Sequence, residues 1–237
     1  MKNRVLSLLL SGLLLLSLTG CWEEDPADLS GSLIPEDALE ETAQEEETEV
    51  LLPLSFALPY DPDQTLDPVT CADGMQQVVG SLLYEGLFQL DTELEPQPWL
   101  CERYTYDPET FTYVFTLRSG VTFSDGSALT AADAAATLRR AKSSQRYGAR
   151  LAQMVSASGE GSTLTVVLSG ANTGFPALLD IPIVKSGTEG KLVPVGTGPY
   201  YYAQDDGGPC LLANGSWWKG GSQPVDRVGL SSAVDRE

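Results

Sequence analysis

No histidine occurs anywhere in the 237 residues, and that absence removes several chemistries at once. A serine or cysteine nucleophile has no imidazole to activate it, and a zinc site of the H-E-x-x-H kind cannot be assembled. Nor is any side chain present whose unperturbed charge change falls between about pH 5 and 8 through an imidazole. Positive charge is also scarce, with 14 Lys and Arg against 33 Asp and Glu and a formal net charge of -19. That sign disfavours nucleic acid as a partner. The four cysteines include no C-x-x-C pair, so neither a zinc knuckle nor a thioredoxin-type couple is expected. Paired carboxylates could in principle do acid–base work, but the adjacent Asp205 and Asp206 fall at a turn. The sequence is expected to carry no enzymatic activity, no cofactor and no metal site, and no internal repeat is visible in it.

What is present begins at the N-terminus. Met1-Lys2-Asn3-Arg4 leads into an apolar run from Val5 to Leu18, closed by Leu18-Thr19-Gly20-Cys21. This is a charged start, an apolar middle and a small-residue cleavage site. The run is shorter than the ~20 residues that a bilayer-spanning helix needs, so residues 1–20 are expected to be removed as a signal peptide. Leu-Thr-Gly-Cys resembles the bacterial lipobox, in which the cysteine is diacylated. Cys21 is thereby expected to be lipidated, and two acyl chains anchor stably where one is marginal. The chain is expected on the extracytoplasmic face of a bacterial cell membrane, at the cell surface or in the periplasm. A plain secretory signal ending near a cysteine is the alternative.

From Trp22 to Glu49 there are twelve Asp or Glu residues and no Lys or Arg. Such a stretch buries too little apolar surface to offset the entropy of ordering. Residues 21–49 are therefore expected to form the lipidated cysteine and a self-repelling tether. The carboxylates of Glu45, Glu46, Glu47 and Glu49 read more simply as a solvated tail than as a cation site. Residues 50–237 remain for folding, enough for one lobe with a real core or two small subdomains. Three cysteines fall in that part, Cys71, Cys101 and Cys210, and either one disulfide with one thiol or three buried thiols is compatible with their spacing.

Local patterns then suggest the elements. Val50 to Leu58 reads as a strand stopped by the Pro59-Tyr60-Asp61-Pro62-Asp63 cluster. Gln76 to Phe88 has helical spacing of Val79, Leu83 and Leu87. Thr110 to Arg118 alternates, with Phe111, Tyr113, Phe115 and Leu117 on one face, as in a half-buried antiparallel strand. Ser124-Asp125-Gly126-Ser127 is a turn, and Thr130 with Asp133 three residues on predicts a helix start for the Ala-rich stretch to Lys142. Leu164–Leu168 is β-rich, and Tyr200–Tyr202 and Pro209–Ala213 read as a hairpin about Asp205 to Gly208. The alternation predicts a mixed α/β architecture.

Several fragments together carry a resemblance. They are Leu66-Asp67-Pro68, Leu83-Tyr84-Glu85-Gly86-Leu87, the block from Tyr113 to Gly126 with Leu129-Thr130-Ala131-Ala132-Asp133, then Val195-Gly196-Thr197-Gly198-Pro199-Tyr200, Asn214 to Gly220 with Trp217 and Trp218, and Val225 to Leu230. In order and spacing they resemble the extracytoplasmic solute-binding proteins of the dipeptide, oligopeptide and nickel ABC transporters, family 5. The resemblance implies a periplasmic-binding-protein-like type II N-terminal lobe with a small antiparallel subdomain. Family members continue into a second lobe that closes over the ligand, whereas this sequence stops at Glu237, so the expectation is a single lobe with the second absent. Ser124 stands where many relatives carry histidine, which argues against a histidine-mediated nickel site.

By the same resemblance the partners are a short peptide or other small solute and the ABC permease subunits, with the membrane reached through the lipid. The loop Thr70, Cys71, Ala72 and Asp73 resembles the loop that faces the cleft in relatives, and Asp73 could pair with a peptide α-amino group. An exposed loop carboxylate is the plainer account of Asp73. Trp217 and Trp218 could wall a ligand, although core packing is the default for them. Asp125-Gly126 and Asp133 are architectural. Gly196 to Pro199 lacks the third glycine of a phosphate-cradling loop, and Gly187 to Lys191 lacks P-loop spacing. The competing expectation is a truncated surface lipoprotein acting as an interaction module.

Overall fold

The computed structural model describes residues 56–232. The expected signal peptide, Cys21, the acidic stretch, residues 50–55 of the expected first strand and residues 233–237 lie outside the described residues. No helix among the described residues is long and apolar enough to cross a membrane.

Chain order is strand β1 Phe56–Tyr60, helix α1 Gly74–Gly80, the short strands β2 Glu85–Gly86, β3 Phe88–Leu90 and β4 Pro96–Pro98, then β5 Cys101–Asp107 and β6 Thr112–Leu117. Helix α2 Ala131–Lys142 follows, with β7 Met154–Glu160, β8 Thr163–Leu168, a 3₁₀ turn at Phe175–Leu178, β9 Pro182–Ile183, β10 Tyr200–Asp205, β11 Gly208–Ala213 and β12 Arg227–Ser232.

The larger core is an antiparallel sheet in the order β5-β6-β8-β7 with α2 against it. Alternation along β6 buries Tyr113, Phe115 and Leu117, as the sequence pattern requires. Phe111 has a φ of 53° and so lies outside strand geometry, yet it still packs, half-buried, against the same core. Helix α2 starts as expected: the Thr130 N–H and hydroxyl donate to Asp133 Oδ2 at 3.0 and 2.6 Å. Its buried Ala134, Ala135, Leu138 and Ala141 face the sheet. The helix can sit that close because β7 offers a glycine: a Cβ on Gly159 would lie 2.0 Å from the Ala131 carbonyl oxygen.

The smaller core lies under a four-stranded sheet ordered β1-β12-β11-β10. Strands β10 and β11 form the expected hairpin, pairing from Tyr200 with Ala213 to Asp205 with Gly208. Arg227 on β12 grips the turn through Asp205 at 2.8 and 2.9 Å. Strand β1 runs on through Pro59 to Tyr60 rather than stopping at Pro59, and pairs in parallel with β12. It is an edge strand, where a proline without an N–H is tolerated.

The expected helix from Gln76 to Phe88 is shorter, ending at Gly80. Val79, Leu83 and Leu87 are buried by tertiary contacts instead of by one helical face. Leu83 and Tyr84 enter the smaller core, whereas Leu87 and Phe88 enter the larger one. The segment therefore crosses between cores, and Gly86 passes so close to Asp180 that a Cβ would sit 2.8 Å from its carbonyl.

Candidate functional site

The loop that follows β1 is fixed by one buried carboxylate. Asp67, 1% exposed, accepts the Val69 N–H at 2.9 Å through Oδ1, and its carbonyl takes Thr70 and Cys71 N–H at 3.1 and 2.7 Å. Arg140 on α2 holds both oxygens, Nη2 at 3.0 Å from Oδ1 and Nη1 in closer contact with Oδ2. Planar two-point pairing of this kind sets direction as well as distance. Farther along, Arg146 Nη1 donates to the Cys71 carbonyl at 2.9 Å, and Gln77 Nε2 reaches the same oxygen at 3.3 Å.

Between these anchors opens a cavity of about 460 Å³, walled by residues 69–72, Gln77 and residues 144–146. A second cavity of about 300 Å³ shares Cys71, Gln77 and Arg146 with it and runs on to Tyr147, Arg150 and Asp180. Arg150 is neutralised by its ion pair with Asp180. Arg146 is exposed, its guanidinium carbon 5.2 Å from the Tyr147 ring centroid, and no carboxylate pairs with it among the described residues. An anionic group entering the cavity would meet an uncompensated guanidinium with free donor positions.

The loop residues singled out in the sequence divide. Thr70, Cys71 and Ala72 line the first cavity. Asp73 caps α1 instead, accepting the Gln76 N–H at 2.9 Å through Oδ1, with its second oxygen left for other work. The Cys71 thiol is buried, and burial raises its pKa, so it is a poor nucleophile. Cys71, Cys101 and Cys210 are all free and buried, which decides between the two cysteine arrangements. Arg146 and Gln77 were not singled out by sequence motifs. The one available signal is that no Asp or Glu occurs from Ala134 to Gly159 in an otherwise acidic chain.

Trp217 and Trp218 do not wall this cavity. With Trp99 they converge on Glu85, which is 6% exposed. Trp99 and Trp217 Nε1 donate to Oε1 at 2.8 and 3.1 Å, and Trp218 Nε1 and the Thr197 hydroxyl donate to Oε2 at 3.0 and 2.8 Å. Four neutral donors thus hold a buried anion, and Lys219 lies 3.7 Å above the Trp99 ring. This cluster joins β2, the Gly196–Pro199 turn and the Trp pair, so its role is to tie the two cores together.

The family model of the bacterial extracellular solute-binding proteins, family 5 Middle, matches residues 95–235, more than half of the chain. The chain is 33% identical over 149 residues to the glutathione-binding protein GsiB of Escherichia coli K12, covering 57% of this chain and 29% of that protein. It superposes on MoaA of A. tumefaciens R10 in complex with mannopinic acid with a TM-score of 0.67 and 19% identity, over 76% of this chain and 41% of that one. The oligopeptide-binding protein AppA of Bacillus subtilis, in complex with a nonapeptide, gives 0.61 and 19% over 76% and 40%. The chain therefore spans under a third of the curated relative's length and about two fifths of each solved one.

Proposed function

The chain belongs to the bacterial extracellular solute-binding proteins of family 5, and from that premise we propose that it captures short peptides or other small carboxylate-bearing solutes for an ABC importer, using the cavity beside Arg146. It has the periplasmic-binding-protein-like fold of its structural neighbours. The observation that carries the reading is the exposed guanidinium of Arg146 without a carboxylate partner, set on the wall of a cavity built by residues 69–72. Support comes from the ligands of the compared proteins: glutathione, mannopinic acid and a nonapeptide are all carboxylic acids. Thr70 and the backbone of residues 70–72 would add hydrogen bonds, and the free oxygen of Asp73 would meet an α-amino group.

Calorimetric titration of the chain from Trp22 onward with glutathione and pools of di- to hexapeptides tests this. Saturable heat is expected with at least one pool, and Arg146→Ala should weaken that binding about tenfold or more, since a charge-assisted hydrogen bond contributes about 1.5–3 kcal/mol. No heat with any pool would sink the reading.

The lipid on Cys21 is the second part of the proposal, supported by the Leu-Thr-Gly-Cys sequence. It would keep the binder beside its permease on the outer face of the membrane. Cells expressing the chain should incorporate labelled fatty acid into it and retain it in the membrane fraction. Cys21→Ser should abolish the label and release or misprocess the protein; undiminished labelling would move the anchor elsewhere.

A further inference from the structure

The half-buried rings of Trp99, Trp217 and Trp218 stand around one nitrogen. Lys219 Nζ lies 3.7 Å from the centroid of the Trp99 ring and 5.8 Å from each of the other two. All three distances fall within the ~6 Å over which an indole face attracts a cation. One such contact is ordinary, occurring about once per 70–80 residues; three indoles on the same ammonium form a cage. Its walls are steeply inclined to one another, with Trp99 at 82° and Trp217 at 63° to Trp218.

The walls are fixed, whereas the occupant is held by the rings alone. Glu85 takes the Trp99, Trp217 and Trp218 indole N–H groups at 2.8, 3.1 and 3.0 Å, and the Trp217 backbone closes turns with Asn214 and Gly220 at 3.0 and 2.8 Å. The Lys219 ammonium makes no hydrogen bond or ion pair among the described residues, and the residue is exposed. The main acceptors of the cluster are already used. A carboxylate has about four acceptor sites, and the three indoles with Thr197 take four at Glu85. The Trp99 carbonyl accepts from Arg118 Nε at 3.0 Å.

A primary ammonium carries three N–H donors, so it enters such a cage at the cost of hydration that nothing replaces. A quaternary ammonium has no N–H to satisfy and lays its methyl groups against the indole faces. The buried charge of Glu85 behind the rings favours either cation. Arg118, with its guanidinium carbon 4.9 Å from the Trp218 centroid, already opposes that charge. An external cation must therefore replace Lys219, since one joining it would be repelled.

We propose that Trp99, Trp217 and Trp218 form a binding site for a quaternary ammonium group, and that Lys219 is its internal stand-in, displaced when such a group enters. The site is separate from the cavity beside Arg146, which none of these tryptophans lines, and it does not rest on the solute reading above.

Three of the four tryptophans lie here, so indole emission reports on the cage. The chain from Trp22 onward, which keeps every described residue, is titrated with tetramethylammonium chloride or choline chloride against sodium chloride at matched ionic strength. A saturable change in the millimolar range is expected, with ammonium chloride and the neutral neopentyl alcohol at least severalfold weaker. Lys219→Ala and Lys219→Gln, with unchanged circular dichroism, should bind tetramethylammonium severalfold more tightly. Trp99→Phe in the Lys219→Ala background should lose most of that gain. No saturation in the parent or either Lys219 variant overturns the site, and equal binding of neopentyl alcohol overturns its choice of a cation. Lys219 variants that bind no more tightly overturn the displacement, and a response indifferent to Trp99→Phe overturns the location. Cosedimentation then identifies the source of the group: pelleting with phosphatidylcholine but not phosphatidylglycerol vesicles assigns it to a lipid headgroup, and choline binding without pelleting assigns it to a free solute, both in support of the cage.

Discussion

Glu85→Gln is expected to lower the thermal midpoint by about 6–12 °C, although it changes one oxygen for one nitrogen. Three indole N–H groups and a hydroxyl converge on the two carboxylate oxygens. An amide offers a single acceptor oxygen and turns two N–H donors toward an indole N–H. Whichever way it is placed, at least one half-buried tryptophan loses its partner at a buried carboxylate and faces another donor. Each buried donor left without an acceptor costs about 1–3 kcal/mol, and bonds to a charged acceptor are stronger than neutral ones. A loss of about 3 kcal/mol shifts the midpoint of a unit this size by about 2–4 °C per kcal/mol. Three of the four tryptophans lie at this carboxylate, so the emission maximum should move with the melting curve recorded by circular dichroism. A midpoint within 2 °C of the parent would mean that Glu85 is not what holds the indoles.

Glu85 also shows what could and could not be read from the sequence. It sits in Leu83-Tyr84-Glu85-Gly86-Leu87, a fragment that supported the family resemblance, yet nothing local says that its partners lie 14, 112, 132 and 133 positions away. Helix α2 was legible because its determinants are within one turn: Thr130, Asp133 and the alanines act on neighbours in sequence. Strand β6 and the β10–β11 hairpin were legible for the same reason, through alternation and turn chemistry. Strands β5 and β7 were missed. Cys101–Asp107 is an exposed edge strand whose Tyr104-Thr105-Tyr106 favours β structure but is framed by Glu, Arg and Asp, whereas Met154–Glu160 is rich in Ser, Ala and Gly and is a strand because β8 offers it hydrogen bonds, not because its propensity asks for it. The segment from Leu82 to Phe88 misled through its spacing, since leucines serving two different cores reproduced a helical period by coincidence.

The candidate site divides along the same line. Loop residues Thr70, Cys71 and Ala72 were found by resemblance and do line a cavity. The residue that gives the cavity its charge, Arg146, comes from a segment 75 positions beyond Cys71, and only the tertiary fold puts the two together. Asp73 drew attention by its charge, but the local geometry spends one of its oxygens on the helix start, a use open to any Asp at that position.

Gly196→Ala is expected to be strongly destabilising, by about 4 kcal/mol or more, and its reason separates the Gly-Thr-Gly-Pro turn from a phosphate loop. A Cβ at 196 would lie 2.1 Å from the Leu83 carbonyl oxygen and 2.5 Å from Tyr84 Cδ1, and one at Gly198 would lie 2.5 Å from the Leu82 oxygen. The obstacle is backbone, which cannot rotate aside as a flexible side chain does. The turn must approach this closely because Gly198 and Tyr200 donate N–H bonds to the Leu83 and Leu82 carbonyls at 2.9 and 3.1 Å, while the Gly196 carbonyl accepts from Ser124 at 2.9 Å. Displacing the turn by an ångström to admit a methyl group would stretch all three bonds and pull Thr197 from Glu85. Overpacking alone costs about 1–3 kcal/mol, and the broken bonds add about 1 kcal/mol each. Gly170→Ala is the matched control, since nothing lies within 4 Å of the added carbon, and it should change stability by no more than about 0.5 kcal/mol. Urea denaturation of the pair distinguishes the cases: a Gly196→Ala variant as stable as the Gly170→Ala variant would show that the close packing of turn against Leu83 is not what the two glycines are for.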